Sequence, residues 1–526
     1  MRTILFLLVI ASLAACSPGG SAGSALPNSP PTTPRPALPA ILPGPGSPGE
    51  FQPARCPFVL PEEVVEGQDV ECGYLTVVEQ RAENPATPGR LVQLAVAVFH
   101  PPGGAQHPNP VIYLSGGPGG SALELIRFQF ELLSAPVFAA GRDLVVFDQR
   151  GVGLSRPALD CPEFEQLVQD LLDRQVDARQ INEPEIIELF LDRLSACRNN
   201  LGKLADLTAY NSATSAADVD DLRSALGYTQ VNLWGGSYGT RLALEVMRRY
   251  PQGLHSVVLD AVYPPDVDLY VEGPGNFSRA LEQLFAACAG NPVCNRAYPE
   301  LREVFYETVD TLNATPVQSE IENPFTGEKY TNWMNGNTIL ALTFQLLYDS
   351  TIRYLIPKYI YAAHQGDYTA FERARGNLIA LQSISSRGMM FSVQCHEEIP
   401  FSSAKEFQAE MERFPDLGGM YENGLLGGLS YRICEEWGAG RAEDNADHPV
   451  FSDLPTLLMS GEFDPITPPE WGRHAAETLA NGYHYEFPGV GHGASVMAGC
   501  PSEMFTAFLQ NPGATPDDSC IQGMSE

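Results

Sequence analysis

Residues 231–240 read VNLWGGSYGT, and this stretch decides how the rest of the chain is interpreted. A short apolar run ends in Gly235-Gly236-Ser237-Tyr238-Gly239, which matches G-x-S-x-G, and the helix-forming segment TRLALEVMRRYP follows at once. A buried strand, a tight turn that presents a serine hydroxyl and then a helix together form a nucleophile elbow. The pattern predicts that Ser237 is a catalytic nucleophile. The alternative is a plain glycine turn, since glycine and serine are common in loops.

Strand-like runs recur on both sides of this elbow. Several are continuous apolar runs, as is typical of strands buried on both faces of a mostly parallel sheet. Helical stretches separate them, among them 216–226, 240–250 and 469–480. The order predicts an α/β fold with an eight-stranded, mostly parallel sheet covered by helices on both sides. The eight runs are CGYLTVVE, LVQLAVAVF, PVIYLS, DLVVFD, VNLW, HSVVLD, TLLMSG and YHYEF.

The alternation of strands and helices is interrupted once. Residues 264–453 show helical periodicity, as in FSRALEQLFAACAG and LREVFYETVDTLN, and few strand signals. The strand pattern resumes after this segment, so it interrupts one core and does not separate two. We therefore expect one core built from residues 55–263 and 454–526, with 264–453 as a large helical cap over the active site.

The N-terminus has the features of an export signal. Arg2 precedes the apolar run ILFLLVIASL, which is too short for an ordinary membrane span, and small residues precede Cys16. The sequence LAAC resembles a bacterial lipobox, which implies cleavage before Cys16 and a lipid on its sulfur. An ordinary signal peptide is the alternative. We expect a signal peptide over 1–15, a Pro/Gly/Ser-rich tether over 16–54, and an exported protein anchored to the membrane.

The cysteine count agrees with export. Eleven cysteines are present, and without Cys16 ten remain, an even number that suits an oxidising compartment. No C-x-x-C pair or nearby histidine pair supports a metal site, and we expect no metal. Sequence does not determine connectivity, but neighbouring cysteines suggest the pairs Cys56–Cys72, Cys161–Cys197, Cys288–Cys294, Cys395–Cys434 and Cys500–Cys520.

The charge balance restricts the partners. Lys and Arg total 32 against 64 Asp and Glu, for a formal net charge of −32. Nucleic-acid binding needs clustered positive charge, so this composition argues against it. The acidity serves either solubility or the attraction of cationic substrates, and composition does not separate the two.

A catalytic serine needs a base, and the base needs an orienting acid. His492 is the candidate base, because FPGVGHGAS places it in a glycine-rich loop just after the last strand-like run. His484 lies within that strand and His474 within a predicted helix. The candidate acid is Asp464 in GEFDPITPP, in a turn after the penultimate strand. Asp260, at the end of HSVVLD, is the rival.

An oxyanion hole needs two backbone donors. One should be the N–H of Tyr238, directly after the nucleophile. The other should come from SGGPGG at residues 115–120, which follows the strand PVIYLS; Gly117 is the preferred donor and Gly116 the next. A purely structural turn is the alternative for this loop.

These segments together resemble a known family. SGGPGG, DQRGVGLS at 148–155, GGSYG, GEFDPITP and GVGHG are similar to the proline iminopeptidase and tripeptidyl aminopeptidase branch of the α/β-hydrolases, over roughly residues 55–510. The resemblance implies an eight-stranded fold, a helical cap, and release of residues or short peptides from free N-termini. The triad mechanism itself needs no metal or organic cofactor. One departure is Ser115, where many relatives carry histidine, and it leaves details of the oxyanion loop open.

An aminopeptidase must bind a free ammonium, and a carboxylate is its natural partner. The segment SVQCHEEIPF resembles the Cys-x-Glu segment of the tripeptidyl aminopeptidases; Glu397 matches the acidic position and Glu398 is adjacent. The alternative is a solvated carboxylate beside a disulfide.

We expect a serine exopeptidase acting on peptides with a free N-terminus, with a carboxylesterase or lactonase using the same triad as the alternative. A non-catalytic binding module is disfavoured because no triad member is missing. The oligomeric state does not follow from the sequence.

Overall fold

A computed structural model describes residues 44–81, 89–173, 184–324, 326–381, 384–422 and 424–525. The predicted signal peptide, Cys16 and most of the predicted tether lie outside the described residues. Within the ranges above, no helix combines the length and the apolar character needed to cross a membrane.

The centre of the fold is a sheet of nine strands in the order β1-β2-β3-β5-β4-β6-β7-β10-β11. Neighbouring strands from β5 to β11 run parallel, whereas β1, β2 and β3 join in antiparallel pairs. The strands are β1 (Phe51–Pro53), β2 (Val70–Val78), β3 (Leu91–Phe99), β4 (Val111–Leu114), β5 (Leu144–Phe147), β6 (Val231–Gly236), β7 (Leu254–Asp260), β8 (Val317–Glu322), β9 (Lys329–Met334), β10 (Thr456–Gly461) and β11 (Gly482–Phe487).

All eight predicted strands are present in this sheet, which confirms the predicted fold class. The ninth strand, β1, pairs with β2 at the edge of the sheet and begins at Phe51, inside the segment predicted as tether. Its three residues are too few to produce a periodic signal in the sequence.

Helices cover the sheet on both faces. Along β3, Leu94 and Val96 pack into a cluster that includes residues of α4 and α5, while Ala95 and Ala97 pack into a cluster with α1 and α17. Because successive side chains of a strand point to opposite faces, this explains why the inner strands are largely apolar. The helices are α1 (Ala122–Ala139), α2 (Pro162–Asp173), α3 (Pro184–Leu204), α4 (Ser212–Ala225), α5 (Tyr238–Arg249), α6 (Leu269–Gly290), α7 (Pro292–Ala297), α8 (Leu301–Ala314), α9 (Gly336–Tyr348), α10 (Ile356–His364), α11 (Thr369–Leu381), α12 (Arg387–Glu397), α13 (Ala404–Met411), α14 (Gly418–Tyr421), α15 (Gly428–Trp437), α16 (Pro469–Ala476) and α17 (Cys500–Gln510).

The chain between β7 and β10, called the insertion below, contains helices α6 to α15. Its residues form most of a separate hydrophobic cluster, which also includes Phe463 and Ile466 of the segment after β10. It also contains the antiparallel hairpin of β8 and β9, which the sequence did not reveal. The strand sequences VQSEIE and KYTNWM are largely polar and lie half exposed, so they lack the apolar run by which the buried strands were identified.

Five disulfides confirm the predicted pairing of neighbouring cysteines. The bonds are Cys56–Cys72, Cys161–Cys197, Cys288–Cys294, Cys395–Cys434 and Cys500–Cys520. Two of them, Cys288–Cys294 and Cys395–Cys434, lie within the insertion, so they constrain it separately from the sheet.

Candidate active site

Ser237 lies at the turn between β6 and α5, as the elbow pattern predicts. Its φ is 55° and its ψ is −124°, a combination that L-residues seldom adopt. The Ser237 N–H donates to the Asp260 carbonyl at the end of β7 (2.9 Å), so the turn is held to the neighbouring strand. The sheet supports a strained backbone that presents the serine at the N-terminus of α5.

Gly239 shows why the elbow motif needs glycine after the serine. A Cβ at this position would lie 2.0 Å from the Leu114 carbonyl oxygen, a separation that atoms do not tolerate. Leu114 ends β4, and the SGGPGG loop begins at the next residue. The glycine therefore lets the elbow and the predicted oxyanion loop approach closely.

His492 and Asp464 form a buried pair. The Nδ1 atom of His492 lies 2.8 Å from Oδ2 of Asp464, and the two residues are 2% and 0% exposed. The other carboxylate oxygen of Asp464 accepts the N–H groups of Ile466 and Thr467, both at 2.9 Å. The pair is therefore fixed by the turn that follows β10 and the loop that follows β11.

The Asp464 carboxyl is arranged to stay ionised. Burial on its own would raise its pKa, but the charge and hydrogen bond of His492, together with the hydrogen bonds from Thr467 and Ile466, outweigh burial. The pKa of Asp464 therefore lies below its usual value, so this group can hold the imidazole and stabilise its protonated form.

Asp260, the rival acid, has a different set of partners. Its carboxylate accepts the N–H of Ala494 (2.7 Å), the N–H of Ser495 (2.8 Å) and the Ser495 hydroxyl. It thus supports the loop that carries His492, whereas Asp464 holds the ring. The other two candidate histidines lie elsewhere: His474 contacts Asp266 (2.6 Å), and His484 contacts Ser460 (3.1 Å).

A single cavity brings the candidate nucleophile and the candidate base together. Ser237, His492 and Asp260 line it, and Tyr113 and Trp234 contribute aromatic walls. The three residues come from the ends of β6, β7 and the loop after β11. In an open α/β sheet, this carboxyl edge is where ligands bind.

The SGGPGG loop lies beside the elbow. Gly117 has a φ of 122°, and a Cβ there would lie 2.8 Å from the Gly119 nitrogen, so the turn requires glycine. The Gln149 side chain donates to the Ser115 carbonyl (2.9 Å) and fixes the start of the loop. Tyr238 is the first residue of α5, where backbone N–H groups and the helix dipole favour negative charge.

Glu397, at the end of α12, is buried, and its carboxylate already has hydrogen-bond partners within the protein. Its carboxylate accepts both the N–H (2.9 Å) and the hydroxyl of Ser212, and it lies 3.6 Å from Nε of Arg241. Ser212 begins α4, so Glu397 places negative charge at a helix N-terminus. The Ser212 hydroxyl also contacts the Tyr238 hydroxyl (2.7 Å), which links this carboxylate to the residue after the nucleophile.

The carboxyl group of the adjacent Glu398 differs from that of Glu397 in its hydrogen bonding. It is 8% exposed, and its Oε1 is buried without a hydrogen-bond partner in the described part of the chain. Burial raises its pKa to about 7, in spite of the opposing influence of Arg241 and the neighbouring Tyr263 hydroxyl. It lines a second cavity together with Arg241, Tyr263 and Asp268.

The comparisons with known proteins agree with the fold. The sequence profile of the alpha/beta hydrolase fold family matches residues 109–496. The chain belongs to this family. It is similar to serine protease Hip1 of Mycobacterium tuberculosis, with 26% identity over 500 residues and 90% of each chain covered. It is also 30% identical over 204 residues to tripeptidyl aminopeptidase of Streptomyces coelicolor, covering 38% of this chain and 36% of the relative.

Among solved structures, proline iminopeptidase of Mycobacterium smegmatis aligns with 80% of this chain and 94% of its own length. The sequence identity is 17% and the TM-score 0.32. The sequence profile confirms that the chain is an α/β-hydrolase, as the motifs predicted. The assignment of individual site residues stays a prediction.

Sequence reasoning missed the groups that surround these candidates. Arg241, four residues after Ser237, is 4% exposed, and its guanidinium donates to the Glu397 carbonyl (3.0 Å). Arg279 of the insertion donates to the carbonyls of Glu462 (2.9 Å) and Asp464 (2.6 Å). A charged residue so close to the elbow was a usable signal for Arg241. No local signal marked Arg279, because its partners lie almost 200 residues away.

Proposed function

We propose that the protein is a serine exopeptidase that releases N-terminal residues or short peptides from peptides with a free N-terminus. Ser237 is the nucleophile, His492 the base and Asp464 the orienting acid. The observation that carries the proposal is the buried His492–Asp464 pair, whose histidine shares a cavity with the strained serine of the elbow.

The reaction follows from this arrangement. The Ser237 hydroxyl attacks the carbonyl carbon of the scissile bond, and His492 takes its proton. The carbonyl oxygen becomes an oxyanion, which the N–H groups of Tyr238 and Gly117 stabilise. Protonated His492 gives its proton to the leaving amine, and the C–N bond breaks. Water, deprotonated by His492, then attacks the acyl-enzyme and releases the N-terminal product.

We assign recognition of the substrate ammonium to the carboxyls at the end of α12, with Glu398 as the contacting group and Glu397 as its support. The Glu397 carboxylate accepts the N–H and the hydroxyl of Ser212, whereas Oε1 of Glu398 is buried and has no hydrogen-bond donor among the residues that the structure describes. Arg241, which lines the Glu398 cavity, follows Ser237 by four residues, a rise of about 6 Å along α5. An incoming ammonium would compensate the buried carboxylate.

We also propose that the chain is an exported lipoprotein, processed before Cys16 and tethered by residues 16–54, with residues 264–453 acting as the cap. Five disulfides support an oxidising compartment. The names of the relatives, a serine protease and a tripeptidyl aminopeptidase, support a peptide substrate over an ester.

A substrate panel tests the proposal. Aminoacyl, dipeptidyl and tripeptidyl fluorogenic amides would be compared with their N-acetylated forms and with a small neutral ester. We expect the free-amine peptides to be turned over and the acetylated ones to be poor substrates, with Ser237→Ala inactive on all of them. Equal turnover of free and acetylated peptides would exclude the exopeptidase. Turnover of the ester alone would favour the carboxylesterase.

A further inference from the structure

The insertion reaches the predicted oxyanion loop through a short backbone pairing. The N–H of Ser386 donates to the Gly119 carbonyl (2.9 Å), and the N–H of Ser121 points to the Ile384 carbonyl (3.4 Å). Gly120 and Ser385 pair as an antiparallel bridge between these two bonds. Residues 384–386 thus pair antiparallel, over this short stretch, with the end of the SGGPGG loop.

The fit between the two segments is tight. Gly119 has a φ of 94°, and a Cβ at this position would lie 2.6 Å from the Ser386 carbonyl oxygen. The loop therefore has no room to move toward the insertion, and any side chain at Gly119 would force the two segments apart.

The side chain of Ser386 secures the same segment to the core. Ser386 is 2% exposed, its hydroxyl donates to Oδ1 of Asp160 (2.5 Å), and it accepts the N–H of Gly153 (3.1 Å). Ser386 is also the N-cap of α12, the helix that ends at Glu397. One residue therefore joins the oxyanion loop, the DQRGVG loop and the helix that carries the proposed amine site.

The core holds the residues that directly follow the oxyanion loop. The Asp148 carboxylate accepts the Ser121 hydroxyl (2.8 Å), the N–H of Leu123 (3.1 Å) and the N–H of Leu154 (2.8 Å). The loop thus lies between one support from the core and one from the insertion.

The insertion contacts the other two candidate catalytic loops in the same way. The His492 N–H donates to the Tyr348 carbonyl at the end of α9 (3.1 Å), and the Gly491 N–H donates to the Ser350 hydroxyl (2.8 Å). Arg279 of α6 holds the carbonyl of Asp464 (2.6 Å). The SGGPGG loop, the turn with Asp464 and the loop with His492 therefore each have at least one hydrogen bond to the insertion.

We propose that the insertion is a working part of the catalytic machinery and that Ser386 is its positioning residue for the oxyanion loop. The Ser386 N–H sets the Gly119 peptide, and through it the direction of the donor at Gly117. Movement of the insertion away from the core would then disassemble the oxyanion hole. This inference rests on the proposed serine-hydrolase chemistry, but it does not depend on peptide specificity.

A pair of variants isolates the backbone bond. Ser386→Ala keeps the N–H and removes the hydroxyl, whereas Ser386→Pro removes both. The φ of −76° at this position suits proline, and the bridge at Ser385 gives the extended backbone that a residue before proline prefers. The difference between the two variants therefore reports the bond to Gly119.

We expect Ser386→Pro to lower kcat at least about tenfold relative to Ser386→Ala with little change in KM, because misplaced oxyanion donors act on the transition state. The affinity of Ser386→Pro for a peptide aldehyde, whose adduct carries an oxyanion, should fall in parallel with kcat. Its thermal unfolding midpoint should equal that of Ser386→Ala. Hydrolysis of a neutral ester and labelling by a fluorophosphonate should slow as well.

A second comparison covers the case in which the proline variant does not fold. Gly119→Ala drives a Cβ against the Ser386 carbonyl, while Gly103→Ala has a similar φ of 86° with no atom within 4 Å. We expect a loss of kcat only in the first. Equal kcat in Ser386→Pro and Ser386→Ala, or unchanged aldehyde affinity, would overturn the inference. Because the ester and fluorophosphonate readouts need no free amine, failure of the exopeptidase assignment alone would leave their outcome intact.

Discussion

Asparagine in place of Asp464 is the perturbation whose outcome the structure constrains most closely. Oδ1 of Asp464 accepts two backbone N–H groups, while Oδ2 faces Nδ1 of His492. An asparagine must keep its single oxygen on the backbone donors. Its NH₂ group would then face Nδ1 and donate to it, which forces the ring proton onto Nε2. That tautomer cannot accept the proton of Ser237.

The magnitude follows from this loss of the base. In a serine triad the wrong tautomer costs about four decades of kcat, or about 5.4 kcal/mol at 1.36 kcal/mol per decade. Since the Asp464 side chain is fully buried and its hydrogen bonds go to Ile466, Thr467 and His492, we expect Asp464→Asn to lose three to four decades of kcat, about 4–5.4 kcal/mol. KM should change little.

The assay is kcat on a free-amine peptide and on a neutral ester, with thermal unfolding measured in parallel. Asp260→Asn is the matched control, because it is equally buried and also removes a charge near His492. It leaves at least one of the Ala494 and Ser495 donors unsatisfied, so we expect about 1–3 kcal/mol of lost stability and a far smaller loss of kcat. A larger loss of kcat in Asp260→Asn than in Asp464→Asn would refute the assignment of the acid.

Four further predictions concern amine recognition, its pH dependence, the positioning of Asp464 and the covalent structure. Glu398→Gln should reduce kcat/KM for free-amine peptides by about one to two decades, the value of a charge-assisted hydrogen bond, and leave the ester unaffected. In the wild type, the ratio of kcat/KM for the peptide to kcat/KM for the ester should rise as the pH increases through about 7. The reason is that Glu398 must lose its proton to bind an ammonium. A ratio that does not change with pH would argue against this role. Arg279→Met should lower kcat about tenfold, since it frees the carbonyl of Asp464, whereas Arg302→Met, at an exposed ion pair, should not. Mass mapping of the unfolded, unreduced protein should find a lipidated Cys16 and ten paired cysteines, and a free thiol among those ten would contradict the pairing.

Local patterns were sufficient for the sheet and for the order of the candidate triad. A strand buried on both faces is largely apolar, so even runs as short as VNLW and DLVVFD identify it. The elbow is equally local, since the strain at Ser237 and the close approach of Gly239 to Leu114 both require glycines at fixed spacing. Disulfide pairing was also predictable, because each bond joins cysteines that are neighbours in the sequence.

Other features carried no such local pattern. The β8–β9 hairpin is half exposed and polar, so neither face produced an apolar signal. The resemblance suggested Glu397 for the proposed amine site, yet its carboxylate accepts the N–H of Ser212 in the first turn of α4. In the described part of the chain, it is Oε1 of Glu398 that is buried without a hydrogen-bond partner. Two adjacent glutamates are equivalent in a sequence, and only their packing separates them.

The amino-acid sequence by itself determined the α/β fold, the elbow at Ser237, and the candidates Asp464 and His492, because each depends on the residues within one strand, turn or helix. Which aspartate faces the histidine, which glutamate has a buried oxygen without a hydrogen-bond partner among the described residues, and how the insertion contacts the three candidate catalytic loops were decided only by the tertiary structure. Those contacts join residues such as Ser386 and Gly119, or Arg279 and Asp464, which lie far apart in the chain. Backbone carbonyls accept most of these bonds, and a carbonyl is present at every position, so no residue type marks the partner in advance.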